Sequence, residues 1–214
     1  LGINEDVINA YETSKTVLTG LGHKLIEVDF SELSSGICSY YVIAPAECSS
    51  NLSRFDGVKY GYRSDGEKDI VNLYMNTRSD GFGDEVKKRI LIGTHVLSAG
   101  FYDAYYLQAQ KVRRMIKVKF EDFFKDVDLI FMPTTLDQAF EKNRKSDDPN
   151  RMYKEDLLTI PANLAGLPAI SFPNGFKNNL PIGGQLIGKY FGEDLLLNTT
   201  NKIQEVTDWH KMTP

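Results

Sequence analysis

Three short apolar runs, each cut off by proline, glycine or asparagine, constrain the fold of this chain more than any other feature. They are Leu129-Ile130-Phe131-Met132, stopped by Pro133, then Ala169-Ile170-Ser171-Phe172, then Gln185-Leu186-Ile187. Apolar runs this short between turn residues read as buried strands. Pro173-Asn174-Gly175 and Asn178-Asn179 lie between the last two and supply a turn. Lys24 to Phe30 reads as a further short strand. Helical stripes alternate with these runs. Asn4 to Leu21 carries Val7, Ile8, Tyr11, Val17, Leu18 and Leu21 at helical spacing, with Asn4 as N-cap and Gly20 and Gly22 at the far end. Tyr40 to Arg54 suits a helix that Pro45 either starts or kinks. Asp84 is placed to cap a helix bearing Val86, Ile90 and Leu97. Ala104 to Asp126 and Glu193 to Trp209 are two more helices. Arg63 to Asp69 reads as loop, and the charged, proline-broken stretch Glu141 to Arg151 as a mobile one. Helices alternating with apolar strands define an α/β fold. The expectation is a mixed sheet, with the strands around Ile26, Phe131, Ile170 and Leu186 central and helices on both faces.

Composition narrows the function classes. Over 214 residues, 25 basic side chains stand against 29 acidic ones, a net charge of −4 that does not suit a nucleic-acid coat. No apolar run approaches the roughly 18 residues that a membrane helix needs. Cys38 and Cys48 are too few for a disulfide framework and lack metal-ligand spacing, so a reducing, cytoplasmic setting is expected. Leu1-Gly2-Ile3 reads like the middle of a chain rather than a beginning.

The residues offer little chemistry of their own. His23, His95 and His210 stand far apart without carboxylate or cysteine at ligand spacing. His95, among apolar neighbours, reads as a packed histidine rather than a base. Ser34-Ser35-Gly36 invites a nucleophile reading, but a loop after a strand is the simpler one, and no Gly-x-Ser-x-Gly elbow occurs. No glycine-rich phosphate loop of standard spacing is present. The basic positions Lys111, Arg113, Arg114, Lys117 and Lys119 read first as a solvated helix face and second as an RNA contact. Phe101-Tyr102 with Tyr105-Tyr106 reads as packing surface. Spacing alone therefore stops at a soluble α/β domain.

Several strings carry more. They are Ser49-Ser50-Asn51-Leu52-Ser53-Arg54-Phe55-Asp56-Gly57, Arg78-Ser79-Asp80-Gly81-Phe82-Gly83, Ser98-Ala99-Gly100-Phe101-Tyr102-Asp103-Ala104-Tyr105-Tyr106 and Gln110-Lys111-Val112-Arg113. Pro161-Ala162-Asn163-Leu164-Ala165-Gly166-Leu167-Pro168-Ala169-Ile170-Ser171 follows. In this order the strings resemble the amidase-signature family, and within it the glutamine-hydrolysing branch that serves tRNA-dependent amidation. There are departures. The chain has Thr135-Leu136 where the family often has a second proline. It has Pro173-Asn174-Gly175 for a frequent Pro-Cys-Gly, and Gly183-Gly184-Gln185 for a frequent Gly-Leu-Gln.

The resemblance implies a serine amidase in which a lysine, acting through a bridging cis-serine, activates the nucleophile. Those three residues lie in a Gly/Ser-rich region that nothing here matches, so no catalytic residue is expected in this chain. The resemblance makes residues 1–214 the C-terminal half of one amidase-signature domain. It places a glutamine-binding arginine at Arg89, an aspartate for the α-ammonium at Asp156 and a pocket tyrosine at Tyr40. Arginine forks bidentately onto a carboxylate, and aspartate suits an ammonium. It further implies B and C subunits as partners, glutamyl-tRNA(Gln) met mainly through the B subunit, and ATP and Mg²⁺ used by that partner. Two alternatives stand beside it, a stand-alone amidase of the same family and a non-catalytic interaction module.

Overall fold

The computed structural model describes residues 2–31, 35–66, 68–139 and 155–213. Ser34 and the stretch Glu141 to Arg151 lie outside them. The chain forms two compact units, one of Leu1–Ile37 with Arg113–Pro214, the other of Cys38–Val112.

The first unit is built on a three-stranded antiparallel sheet. Helix α1 (Glu5–Gly20) starts where Asn4 Oδ1 accepts from the Asp6 amide at 2.8 Å, with Glu5 and Asp6 in the first turn facing the positive helix end. Strands β1 (Leu129–Pro133), β2 (Ala169–Lys177) and β3 (Leu180–Gly188) lie in the order β1-β3-β2. Phe131 and Ile170 both pair with Leu186 across β3. The β2–β3 hairpin closes on Asn178 and Asn179, at φ 51° and 61°, the left-handed pair that a two-residue turn requires. Pro173-Asn174-Gly175 is not the turn but an irregularity inside β2, where the register shifts. Proline has no N–H to give the ladder, so the shift falls there.

Alternation along β3 separates two faces. Leu186 packs with Phe172, Leu18 of α1, and Leu196 and Ile203 of α7 (Glu193–Val206). Ile182 meets Val7 and Ala10 of α1. On the opposite face Gln185 donates to the Leu158 carbonyl, just ahead of the short helix α6 (Ile160–Ala165). The closing helix stops at Val206, and Trp209–Lys211 is a separate 3-10 turn. Helices α1 and α7 packed on the apolar strands fit the α/β expectation, although the sheet is antiparallel rather than mixed among the described residues.

Lys24–Phe30, expected as a strand, forms none. It is unpaired among the described residues, and Leu25 and Ile26 are 42% and 49% exposed. Its last residue is pinned instead: Phe30 meets Phe120 edge-on at 5.5 Å and stacks on Phe123 at 5.4 Å, both on α5 (Leu107–Asp126). A cavity of about 970 Å³, lined by Leu25, Ile26, Val28, Ile130, Phe131 and Met132 among others, separates this segment from β1. A strand needs a partner backbone, and here the nearest edge lies across a gap.

The second unit is helical. It contains α2 (Gly36–Leu52) from Cys38 onward, with Pro45 inside it, α3 (Ile70–Gly81) and α4 (Asp84–Val96). Helix α3 has no counterpart among the sequence expectations. It begins at Asp69, whose side chain accepts from the Val71 and Asn72 amides at 3.0 Å each. The cap of α4 is Gly83 rather than Asp84, which is the first helical residue. Tyr102–Tyr106 is a π turn leading into α5, so the regular helix begins at Leu107 and not at Ala104.

Candidate substrate-binding site

Arg89 lies in the second turn of α4, four residues after Glu85. Its Nε donates to Glu85 Oε1 at 3.0 Å, and its Nη1 donates to the Tyr40 hydroxyl of α2 at 3.3 Å. The Arg89 side chain is about one-third exposed. These hydrogen bonds, to Tyr40 first and Glu85 second, raise the guanidinium's pKa above its ordinary value. Tyr40 is steadied by Tyr41, whose ring meets it edge-on at 5.0 Å. Among the described residues Nη2 has no partner, so both of its N–H groups and the second one on Nη1 remain for an incoming carboxylate. The arrangement can hold an anion at a fixed, fully charged fork.

Two of the three expected residues are thus in direct contact, although 49 positions separate them in sequence. Asp156 belongs to the other unit. It is half-buried, and its main-chain carbonyl accepts from the Thr159 and Ile160 amides at 3.1 and 3.0 Å, ordering the chain into α6. The carbonyls at the far end of that helix are tied down too: Arg113 Nε donates to Leu164 O at 3.0 Å, and the Tyr190 hydroxyl donates to Ala165 O. Gly166, at φ 73°, turns the chain out of it.

The motif strings join one another. Arg78 Nη1 donates to the carbonyls of Leu52 and Phe55 at 2.9 and 3.2 Å, linking the second string to the first. Gly57, at φ 79°, fits against Thr77, where a Cβ would stand 2.7 Å from the hydroxyl. Glu85 is the site residue that the sequence reading misses, although a carboxylate four residues before an arginine on one helix is a readable signal.

The remaining candidates have surroundings of their own. His95 is exposed, although its ring packs against that of Phe101 at 4.1 Å between centroids. Arg113 is tied to a carbonyl, and Lys117 lies 5.0 Å over the Tyr190 ring. Among the described residues no group of three or more histidine, cysteine or acidic side chains is placed to hold a metal. No described helix is long and apolar enough to cross a membrane.

These features define a class. The sequence profile of the Amidase family matches residues 1–197, and the chain belongs to that family. It is 54% identical, over its whole length, to the A subunit of the glutamyl-tRNA(Gln) amidotransferase of Coxiella burnetii (strain Dugway 5J108-111), covering 44% of that protein. To the corresponding protein of Hahella chejuensis it is 54% identical over 99% of the chain and 44% of the relative. Among solved structures, the A subunit of the Thermotoga maritima glutamyl-tRNA(Gln) amidotransferase matches at a TM-score of 0.73 and 38% identity, with all of this chain on 42% of that one. A 6-aminohexanoate cyclic dimer hydrolase shares the fold at TM-score 0.70 and 18% identity, over 99% of this chain and 43% of its own. The chain spans less than half the length of the relatives it matches.

Proposed function

We propose that this chain is the C-terminal half of the glutamine amidase component of a glutamyl-tRNA(Gln) amidotransferase. The full-length component hydrolyses glutamine and supplies ammonia for converting glutamyl-tRNA(Gln) to glutaminyl-tRNA(Gln). The observation that carries the reading is the Arg89–Tyr40 pair, a charged fork held at one end and open at the other. Free glutamine has an α-carboxylate to place on such a fork, and the family resemblance assigns its α-ammonium to Asp156. Identity of 54% to proteins of that name supports the choice of substrate over other small amides.

In this reading the chain provides pocket walls, while the serine nucleophile, its bridging cis-serine and the lysine come from the other half. The partners are the B and C subunits. Transfer-RNA contact, ATP and Mg²⁺ fall mainly to the B subunit, and this chain carries no cofactor of its own. The assembly works in the bacterial cytoplasm or an organelle matrix. A stand-alone amidase would release ammonia from glutamine with no stimulation by partner subunits.

Two measurements test the reading. Residues 1–214 alone are expected to turn over no glutamine above a heat-killed control, because the nucleophile and base are elsewhere. In the full-length protein with its partners, Arg89→Ala is expected to weaken glutamine use by about 1.5–3 kcal/mol, roughly ten- to a hundredfold. Amidation with added ammonia should survive, since that route bypasses the pocket. Unchanged glutamine kinetics, or an equal loss with ammonia, sinks the assignment.

A further inference from the structure

Helices α2 and α4 approach each other at a point that no side chain occupies. A Cβ on Gly93 would stand 1.9 Å from the carbonyl oxygen of Pro45, 2.5 Å from its carbon and 2.7 Å from Ser49 Cβ. No other described glycine is so closely met, and the obstacle is backbone, which cannot rotate aside. Pro45 is itself fully buried, and its ring fixes its own φ. Two polar pairs flank this contact. On one side Arg89 meets Tyr40 at 3.3 Å; on the other the Ser49 and Thr94 hydroxyls lie 2.9 Å apart. The order of the three contacts is the same along both helices, so α2 and α4 run in one direction past each other.

We propose that Gly93 is a positioning residue for the carboxylate fork: it sets the helix separation at which Arg89 reaches Tyr40. The proposal rests on the pocket reading above for its effect on substrate, but the geometry it invokes is independent of it. A methyl group at Gly93 requires α4 to retreat by about 1.5 Å to regain ordinary contact. At 3.3 Å the Arg89–Tyr40 hydrogen bond is already near its outer limit, so such a retreat breaks it. The guanidinium then stays paired to Glu85 of its own helix and loses its fixed aim. Gly93 touches no substrate; it acts through Arg89.

The test uses the full-length protein assembled with its partner subunits. Gly93→Ala is expected to raise the KM for glutamine about tenfold or more, with kcat at saturating glutamine within about twofold. A thermal-unfolding cycle reads the contact itself. Tyr40→Phe should lower Tm in the parent and lower it no further in Gly93→Ala. An unchanged KM in folded Gly93→Ala, or fully additive Tm losses, overturns the proposal. Tyr40→Phe is measured in parallel because it removes the Arg89–Tyr40 contact without adding volume. A rise in the KM for glutamine is expected, and if Gly93→Ala does not fold, an unchanged KM here overturns the proposal. Failure of the pocket reading looks different. Arg89→Ala would then leave glutamine kinetics unchanged, while the stability cycle still reports whether Gly93 governs the Arg89–Tyr40 contact.

Discussion

Asn174 and Gly184 are two of the positions that the resemblance marks as departures, and they are neighbours. Asn174 is 1% exposed, and neither Nδ2 nor Oδ1 has a partner among the described residues. A Cβ on Gly184 would stand 3.1 Å from Asn174 Nδ2 and 3.0 Å from the Phe131 ring. The larger side chain at 174 takes the room that a larger residue at 184 would need. Burying an amide without a partner costs about 1–3 kcal/mol, so Asn174→Cys is expected to stabilise the protein, at the low end of that range, in denaturant unfolding. Gly184→Ala alone should destabilise, and in the Asn174→Cys background it should cost at least about 0.5 kcal/mol less. Additive effects would show that the two departures are unrelated. Each is readable in the sequence only as a departure, because their adjacency comes from the shifted register in β2. The same holds at the site. Tyr40 and Arg89 come from motif positions, and Glu85 is readable from helical spacing. Gly93 is not, since a close approach depends on which backbone crosses it.

At the level of elements, the strands with apolar runs and the capped helix α1 are legible because each satisfies its own local rule. Their neighbours escape for physical reasons. Helix α3 exposes Ile70, Val71 and Met75 while burying only Leu73 and Thr77, so its apolar residues form no single stripe. The run at Lys24–Phe30 has strand-like composition but no partner edge among the described residues, and composition cannot supply one. The hairpin is legible in its asparagines, whereas the turn-like Pro173-Asn174-Gly175 marks a shift in register instead. Asn178 and Asn179 both adopt positive φ, where asparagine bears some strain that glycine does not. The extra freedom of glycine in the unfolded chain offsets part of that relief. Asn179→Gly is therefore expected to stabilise the unit by about 0.5 kcal/mol, read as a raised unfolding midpoint. A loss of stability would mean that the Asn179 side chain contributes more than its backbone strain costs.

For the molecule as a whole, the strongest fact is proportion: the chain covers 44% of the Coxiella burnetii relative, and its sheet has three strands among the described residues. Strand β1 is an edge among those residues, pairing only with β3. Beside it lies the cavity of about 970 Å³, with residues 24–30 on its far side and exposed Leu25 and Ile26 along it. An open, apolar edge is costly in water and invites pairing with another strand. If residues 1–214 are half of one amidase-signature domain, the other half supplies backbone to this gap, and Lys24–Phe30 becomes the strand its composition suggests. Hydrogen exchange on the amides of Leu129–Met132 and Lys24–Phe30 distinguishes the cases. In residues 1–214 alone, the 24–30 amides and those of β1 turned away from β3 should exchange quickly, with ladder amides of β3 protected. In the full-length protein the same amides should slow by about a hundredfold or more, because a buried ladder opens far less often than an exposed edge. Equal exchange in both would mean that the gap is a permanent feature and that the rest of the full-length protein folds elsewhere.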